Sequence, residues 1–124
     1  MELQKNLIGE KSKKFAIRIV NLYKFLCEEK REYTLSNQIL RSGTSIGANI
    51  AESVCAISKK DFQSKLYIAL KETVETIYWL EILKETEYIT QSQFQSLFDD
   101  CDEIRKILSS STKTINESEK EKRK

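Results

Sequence analysis

The sequence predicts an all-α fold, four consecutive helices in one domain, on three observations. None of the 124 residues is proline and only 3 are glycine, so little in the chain interrupts a helix. Hydrophobic residues make up 40% and charged residues 32%, a balance that, with so few turn residues, favours long amphipathic helices over strands. Apolar side chains recur at steps of three and four through four successive segments, the period that lays them along one helix face.

The first helix is expected from about Ser12 to Lys30, where Phe15, Ile19, Leu22 and Leu26 form a single stripe that Tyr23 widens. Glu32, Tyr33 and Thr34 make a short connection, and Ser36 is the expected N-cap of the second helix. Ile39, Ile46, Ile50, Val54 and Ile57 form its apolar side. Gly43, Gly47, Ala51 and Cys55 are spaced by four along the same helix, a ridge of small residues. Two interior glycines weaken a helix by about 2 kcal/mol. That loss is offset if a neighbouring helix packs at the short end of the usual range of about 8–10 Å. Arg41, Asn49 and Glu52 exclude a lipid setting for this G-x-x-x-G pair, and no GK[ST] follows it as a phosphate loop requires.

Ser58 with Asp61 has capping-box spacing and starts the third helix, roughly residues 59–86. Its main stripe is Phe62, Leu66, Ala69, Leu70, Thr73, Ile77 and Leu80. At about 100° per residue, Tyr67, Ile68, Tyr78, Trp79 and Ile82 fall on another side, so this helix carries more apolar surface than one copy can cover. Thr90 and Gln93 form a second capping box, followed by Phe94, Leu97, Cys101, Ile104 and Leu108 as the fourth helix. From Ser109 the chain is polar. The domain is expected over residues 1–112, with 113–124 a charged tail too poor in apolar residues to order itself.

Net charge is +2, too small to demand a polyanionic partner, but it is unevenly spread. Residues 1–65 carry 12 Lys/Arg and 7 Asp/Glu, or +5, while residues 66–112 carry 4 and 9, or −5. Halves of opposite sign can attract one another between subunits. No apolar run approaches the roughly 20 residues of a membrane span, and MELQKNLIGEKSKK lacks the apolar centre of a secretion signal. Cys27, Cys55 and Cys101 are an odd number without C-x-x-C spacing. A cytoplasmic protein with reduced thiols is expected.

The 0 histidines remove Ser-His-Asp and Cys-His nucleophile systems together with the commonest metal ligand. Asp99, Asp102 and Glu103 share a helix face, a pattern more often solvated than metal-binding. Glu75 falls among the second-face residues of the third helix, and a covered carboxylate there needs a donor or a proton. Asn49 and Ser53 are its candidate companions in a buried polar network. Lys11, Lys14 and Arg18 on the first helix, with Arg41, Lys59 and Lys60, are candidate phosphate contacts. Trp79 with Tyr78 has the composition of a base-stacking platform, although aromatics beside Leu80 and Ile82 more often fill an interface.

Two stretches carry a family likeness. Ser45, Ile46, Asn49, Ile50, Ala51 and Glu52 spell S-I-x-x-N-I-A-E, and Lys65 to Glu72 spell K-L-x-I-A-L-K-E, followed by E-T-x-Y-W-L from Glu75 to Leu80. In these the chain resembles the small four-helix bundle proteins named after open reading frames in the intervening sequences of bacterial 23S ribosomal RNA genes. The resemblance implies an antiparallel up-down-up-down bundle that assembles as a ring-like homopentamer, with no established enzymatic activity. The chain is also similar to accessory proteins of diversity-generating retroelements, basic pentameric bundles that bind nucleic acid and a reverse transcriptase. The leading expectation is a non-catalytic homo-oligomeric assembly or adaptor protein without a cofactor, its contact made by Tyr67, Ile68, Glu75, Tyr78, Trp79 and Ile82. The alternative is a nucleic-acid-binding accessory module, and a remote third is a metal-dependent enzyme on the acidic part of the fourth helix.

Overall fold

The computed structural model describes the backbone of residues 2–123 and the side chains of residues 7–115. It is all-α, with α1 (Glu2–Glu28), α2 (Leu35–Ser53), α3 (Lys59–Glu85) and α4 (Gln91–Arg123), and no strand among the described residues. α1 and α3 each pack on both α2 and α4, while among the described residues the backbones of α1 and α3, and of α2 and α4, lie diagonally apart. The four apolar stripes meet between them, where Phe15, Ile19, Leu26, Ile39, Ile46, Leu80, Leu83, Ile104 and Leu108 are almost wholly enclosed.

Both outer helices are longer than expected. α1 begins well before Ser12, because Ile8 and Ser12 extend the stripe of Phe15 and Ile19 by further steps of three and four, and both are buried. Ser12 is therefore a small buried residue inside the helix, its hydroxyl donating to the Gly9 carbonyl at 3.1 Å. α4 likewise continues beyond residue 112 to Arg123, where an unordered tail is expected. Thr112 is buried and Ile115 packs against the core, so the spacing set by Cys101, Ile104 and Leu108 persists through the apparently polar Ser109–Ser111.

The entry to α2 is built differently from the expected Ser36 cap. Ser36 lies inside α2; the N-cap position is Thr34, whose side chain makes no capping bond, and the Glu32 carboxylate caps in its place. The Glu32 carboxylate accepts the N–H groups of Thr34 at 3.0 Å, Leu35 at 2.8 Å and Ser36 at 2.7 Å, three donors that no turn of helix precedes. The Ser36 hydroxyl donates back to the Glu32 carbonyl at 2.8 Å. Burial alone would raise the Glu32 carboxyl above its ordinary value, but those backbone donors outweigh it and hold the group below. The preceding turn closes when the Glu32 N–H reaches the Leu26 carbonyl, with Arg31 in the left-handed region at φ 51°.

α2 ends at Ser53, so Val54 and Ile57 are not part of its inner side. They stand 69% and 94% exposed at the α2–α3 turn. The next two helices start where their capping-box spacings predict, the first with half of the box and the second with all of it. Asp61 N–H donates to Ser58 Oγ at 3.0 Å, while Asp61 accepts from the Ile57 N–H rather than from that of Ser58. Thr90 and Gln93 form the full reciprocal box, at 2.8 and 3.1 Å.

The close partner of the α2 glycines is α1. A Cβ on Gly43 would lie 2.8 Å from both Cγ1 and Cγ2 of Ile19, which is β-branched and fully buried and so cannot step aside. A Cβ on Gly47 would meet Ser12 at 3.2 Å. The ridge closes only at these first two members, since Ala51 is exposed and Cys55, also exposed, lies beyond the helix.

Glycine substitutions should therefore separate. Gly43→Ala should lose about 1–2 kcal/mol, overpacking against Ile19 exceeding the gain in helix propensity. Gly9→Ala, where a Cβ meets nothing within 4 Å, should gain about 1 kcal/mol. Urea unfolding of the two variants checks this. A second expectation concerns pH. A carboxyl lowered by folding adds stability that is present above its ordinary value of 4.5 and is lost as pH falls through the folded value. Glu32→Gln should thus be less stable by about 1–2 kcal/mol at neutral pH, and thermal melts should show the difference from wild type closing in acid.

Candidate interface on the outer side of α2 and α3

α3 has inner positions that are fully occupied. Leu66, Ala69, Thr73, Thr76, Leu80 and Leu83 are buried, and every second or third residue between them is turned elsewhere. On the side away from the bundle, Ile68, Val74 and Tyr78 stand 38%, 56% and 55% exposed. Tyr67, Trp79 and Ile82 are half-buried. The second apolar face therefore divides. Trp79 leans against the core cluster, with Tyr78 edge-on to it at 5.1 Å between ring centroids, while Ile68, Val74 and Tyr78 remain outside. Val74 belongs to this ridge although it is not among the second-face residues expected from the sequence; its place four residues before Tyr78 is the signal that marks it.

The seam between α2 and α3 is polar at two depths. Inside, the hydroxyls of Ser42 and Thr76 meet at 3.0 Å, both fully buried. Outside, the Arg41 guanidinium reaches across to Glu75 and lies 3.6 Å from Glu72, and Lys65 pairs with Glu52 at 2.9 Å. Glu72 Oε2 and Trp79 Nε1 are buried without a hydrogen-bond partner. Burial pushes the Glu72 carboxyl above its ordinary value, Arg41 opposes this and Glu75 adds to it.

The candidate network of Glu75, Asn49 and Ser53 is not gathered in one place. Asn49 donates to the Ser45 carbonyl at 2.8 Å and Ser53 to the Ile50 carbonyl at 2.6 Å, each within its own helix, while Glu75 takes Arg41. The candidate phosphate contacts are divided too. Lys11 pairs with Glu103, and Arg18 pairs with Asp100 at 2.7 Å while also bonding the Ser96 carbonyl and hydroxyl. Arg41 is held by α3, and Lys14, Lys59 and Lys60 stand exposed.

The α4 carboxylates have local partners. Asp99 accepts from Gln95 at 2.8 Å, and Asp102 takes Arg105 at 2.7 Å and Lys106 at 3.3 Å. The Arg105 hydrogen bond holds the Asp102 carboxyl below its usual range. Among the described residues no group of three or more His, Cys, Asp or Glu could hold a metal ion. Cys101 is buried on α4 against the Thr73 carbonyl, and burial pushes its thiol up to about 12, well away from a reactive thiolate.

Comparison with known proteins bears on the same residues. A family model described as 23S rRNA-intervening sequence protein matches residues 4–110. Among solved structures, the crystal structure of a protein with unknown function from the S23 ribosomal protein family of Bacteroides thetaiotaomicron VPI-5482 is 57% identical, with a TM-score of 0.87. The match covers 89% of this chain and 98% of that one. No curated protein matches. No helix among the described residues is long and apolar enough to cross a membrane.

Proposed function

The chain belongs to the 23S rRNA-intervening sequence protein family, and on that footing we propose that it works without catalysis, as a homo-oligomeric assembly or adaptor whose copies meet through the outer face of α3. One observation carries the reading: Ile68, Val74 and Tyr78 lie exposed on a single helix of a single chain. Fully covering an aliphatic or aromatic side chain of this size contributes about 1.5–3 kcal/mol, so three left exposed on one outer helix face favour a partner.

The course of the bundle is up-down-up-down. Supporting this, α1 residues 19 and 12 meet α2 residues 43 and 47, α2 residues 42 and 52 meet α3 residues 76 and 65, and α3 residues 73 and 84 meet α4 residues 101 and 94. In each pair the numbers run in opposite directions. Residues 1–65, which span α1, α2 and the first turns of α3, carry +5, and residues 66–112, the rest of α3 and most of α4, carry −5. Head-to-tail packing can set the +5 segment of one copy against the −5 segment of the next, which suits cyclic closure, and the family likeness makes the ring a pentamer. Three thiols with no disulfide among them suit the reducing cytoplasm. The absence of catalysis rests on a chain with 0 histidines, a buried Cys101 and α4 carboxylates already committed to Arg18, Lys11, Arg105 and Lys106.

The rival reading, phosphate contacts through Lys11, Lys14, Arg18, Arg41, Lys59 and Lys60, has less behind it. Three of those cations are ion-paired within the chain, and each would have to exchange a carboxylate for a phosphate.

Light scattering on the wild-type chain should give a particle of several copies. Val74→Glu with Tyr78→Glu should give single, still helical chains, since neither residue belongs to the enclosed core. An assembly whose mass both substitutions leave unchanged would place the contact elsewhere. In mobility-shift assays at about 0.15 M salt, the wild type should not retard DNA or RNA; retardation that weakens steeply with added salt would favour the rival.

A further inference from the structure

The Arg41, Glu72 and Glu75 cluster sits on the surface proposed as the contact between copies, and any part it plays in assembly rests on that reading. Glu72 and Glu75 are one turn apart on α3 and share one guanidinium from α2. Arg41 lies nearer Glu75, leaving Glu72 Oε2 enclosed, without a hydrogen bond, and 3.6 Å from the nearest cationic nitrogen. Two carboxylates and one guanidinium leave the cluster one negative charge in excess. In a single chain water still screens it, because the Arg41 and Glu75 side chains are 52% and 37% exposed. Ile68 lies four residues before Glu72, and Trp79 four residues after Glu75, so the cluster is flanked by members of the apolar face.

We infer that Glu72 is a proton-binding site of the interface: when a second copy covers α3, Glu72 takes up a proton, and self-association strengthens as the solution is acidified from neutral pH. Removing water from three charges of net −1 is unfavourable, and one proton makes the cluster neutral. Glu72 is the group to receive it. Its side chain is 19% exposed, against 37% for Glu75, which keeps the closer contact with Arg41. The same order follows from burial, which already raises the Glu72 carboxyl, with Glu75 adding to the rise and Arg41 resisting it. The charged groups that act on it are Arg41 from α2 and Glu75 from its own helix. Lys71, the preceding residue, is exposed, and from α4 the residue against the neighbouring Thr73 carbonyl is the uncharged Cys101.

Linkage sets the sign. The assembled state binds more protons, so association is strongest in acid and weakens as pH rises through the value Glu72 takes in the assembly. One proton per copy changes the dissociation constant by at most about tenfold per pH unit and copy joined. Sedimentation of the whole chain between about pH 8 and about pH 5.5 reads this, with circular dichroism confirming that each variant is folded. Glu72→Gln, which is neutral at every pH, should associate tightly at pH 8 and respond little to pH. Arg41→Met should act in the opposite sense, weaker than wild type at pH 8 and steeper with pH, because two carboxylates then need neutralising. A wild-type assembly whose dissociation constant is flat with pH, or a Glu72→Gln slope equal to that of wild type, overturns the inference and leaves the assembly standing. Single chains at every pH and concentration overturn both.

Discussion

A bundle of four helices in which, among the described residues, each backbone packs beside two others can enclose about one apolar stripe per helix, and everything else in this molecule stems from how α3 exceeds that allowance. Its inner stripe, from Leu66 to Leu83, is fully used inside the chain. What remains, Ile68, Val74 and Tyr78, has no fifth helix to pack against and stays in water. Trp79 marks the boundary between the two regimes, half-buried against the core while its indole N–H finds no acceptor.

α2 lets the ring close tightly. It is the shortest helix and its buried surface is unusually small-grained, with Ser36, Ser42, Gly43 and Ser53 beside Ile39, Ile46 and Ile50. Gly43 admits the branched side chain of Ile19 from one side, and Ser42 meets Thr76 on the other. Such polar groups cost little to bury, because the hydroxyls of Ser42, Ser53 and Thr73 each lie within hydrogen-bond distance of a carbonyl one turn back in their own helix. The α1–α4 seam is more sparsely packed and is tied at its rim by Lys11 with Glu103 and Arg18 with Asp100. Exposed pairs of this type add at most about 1 kcal/mol each, so they align the two helices more than they hold them.

Much of this was legible in the residues themselves. Four periodic stripes give four helices, and the spacings Ser58 to Asp61 and Thr90 to Gln93 give the starts of α3 and α4, because helix periodicity and capping are local rules. The motifs around Asn49 and Tyr78 carried the family. The early start of α1 and the late end of α4 were hidden by Gly9 and by Ser109–Ser111, which look like breaks until Ile8, Thr112 and Ile115 are seen to keep the spacing. The Glu32 cap escaped because a glutamate bonding two to four residues ahead of itself is not the usual side-chain cap. Partner choice escaped altogether: Arg41 and Glu75 are 34 residues apart, and no pattern in one helix names its ion partner on another. The candidate polar network failed to gather for a related reason, since Asn49 and Ser53 satisfy themselves on their own backbone.

The proposed assembly is thus a statement about one surface, and its water accessibility is the quantity to measure. Hydroxyl-radical footprinting of the wild-type chain, read by mass spectrometry from dilute to concentrated solution, should show Tyr78 and Val74 losing reactivity with concentration while Ile57 at the α2–α3 turn keeps its own. Tyr78 and Val74 reacting as readily at the highest concentration as at the lowest would contradict the claim that copies of the chain cover the outer face of α3.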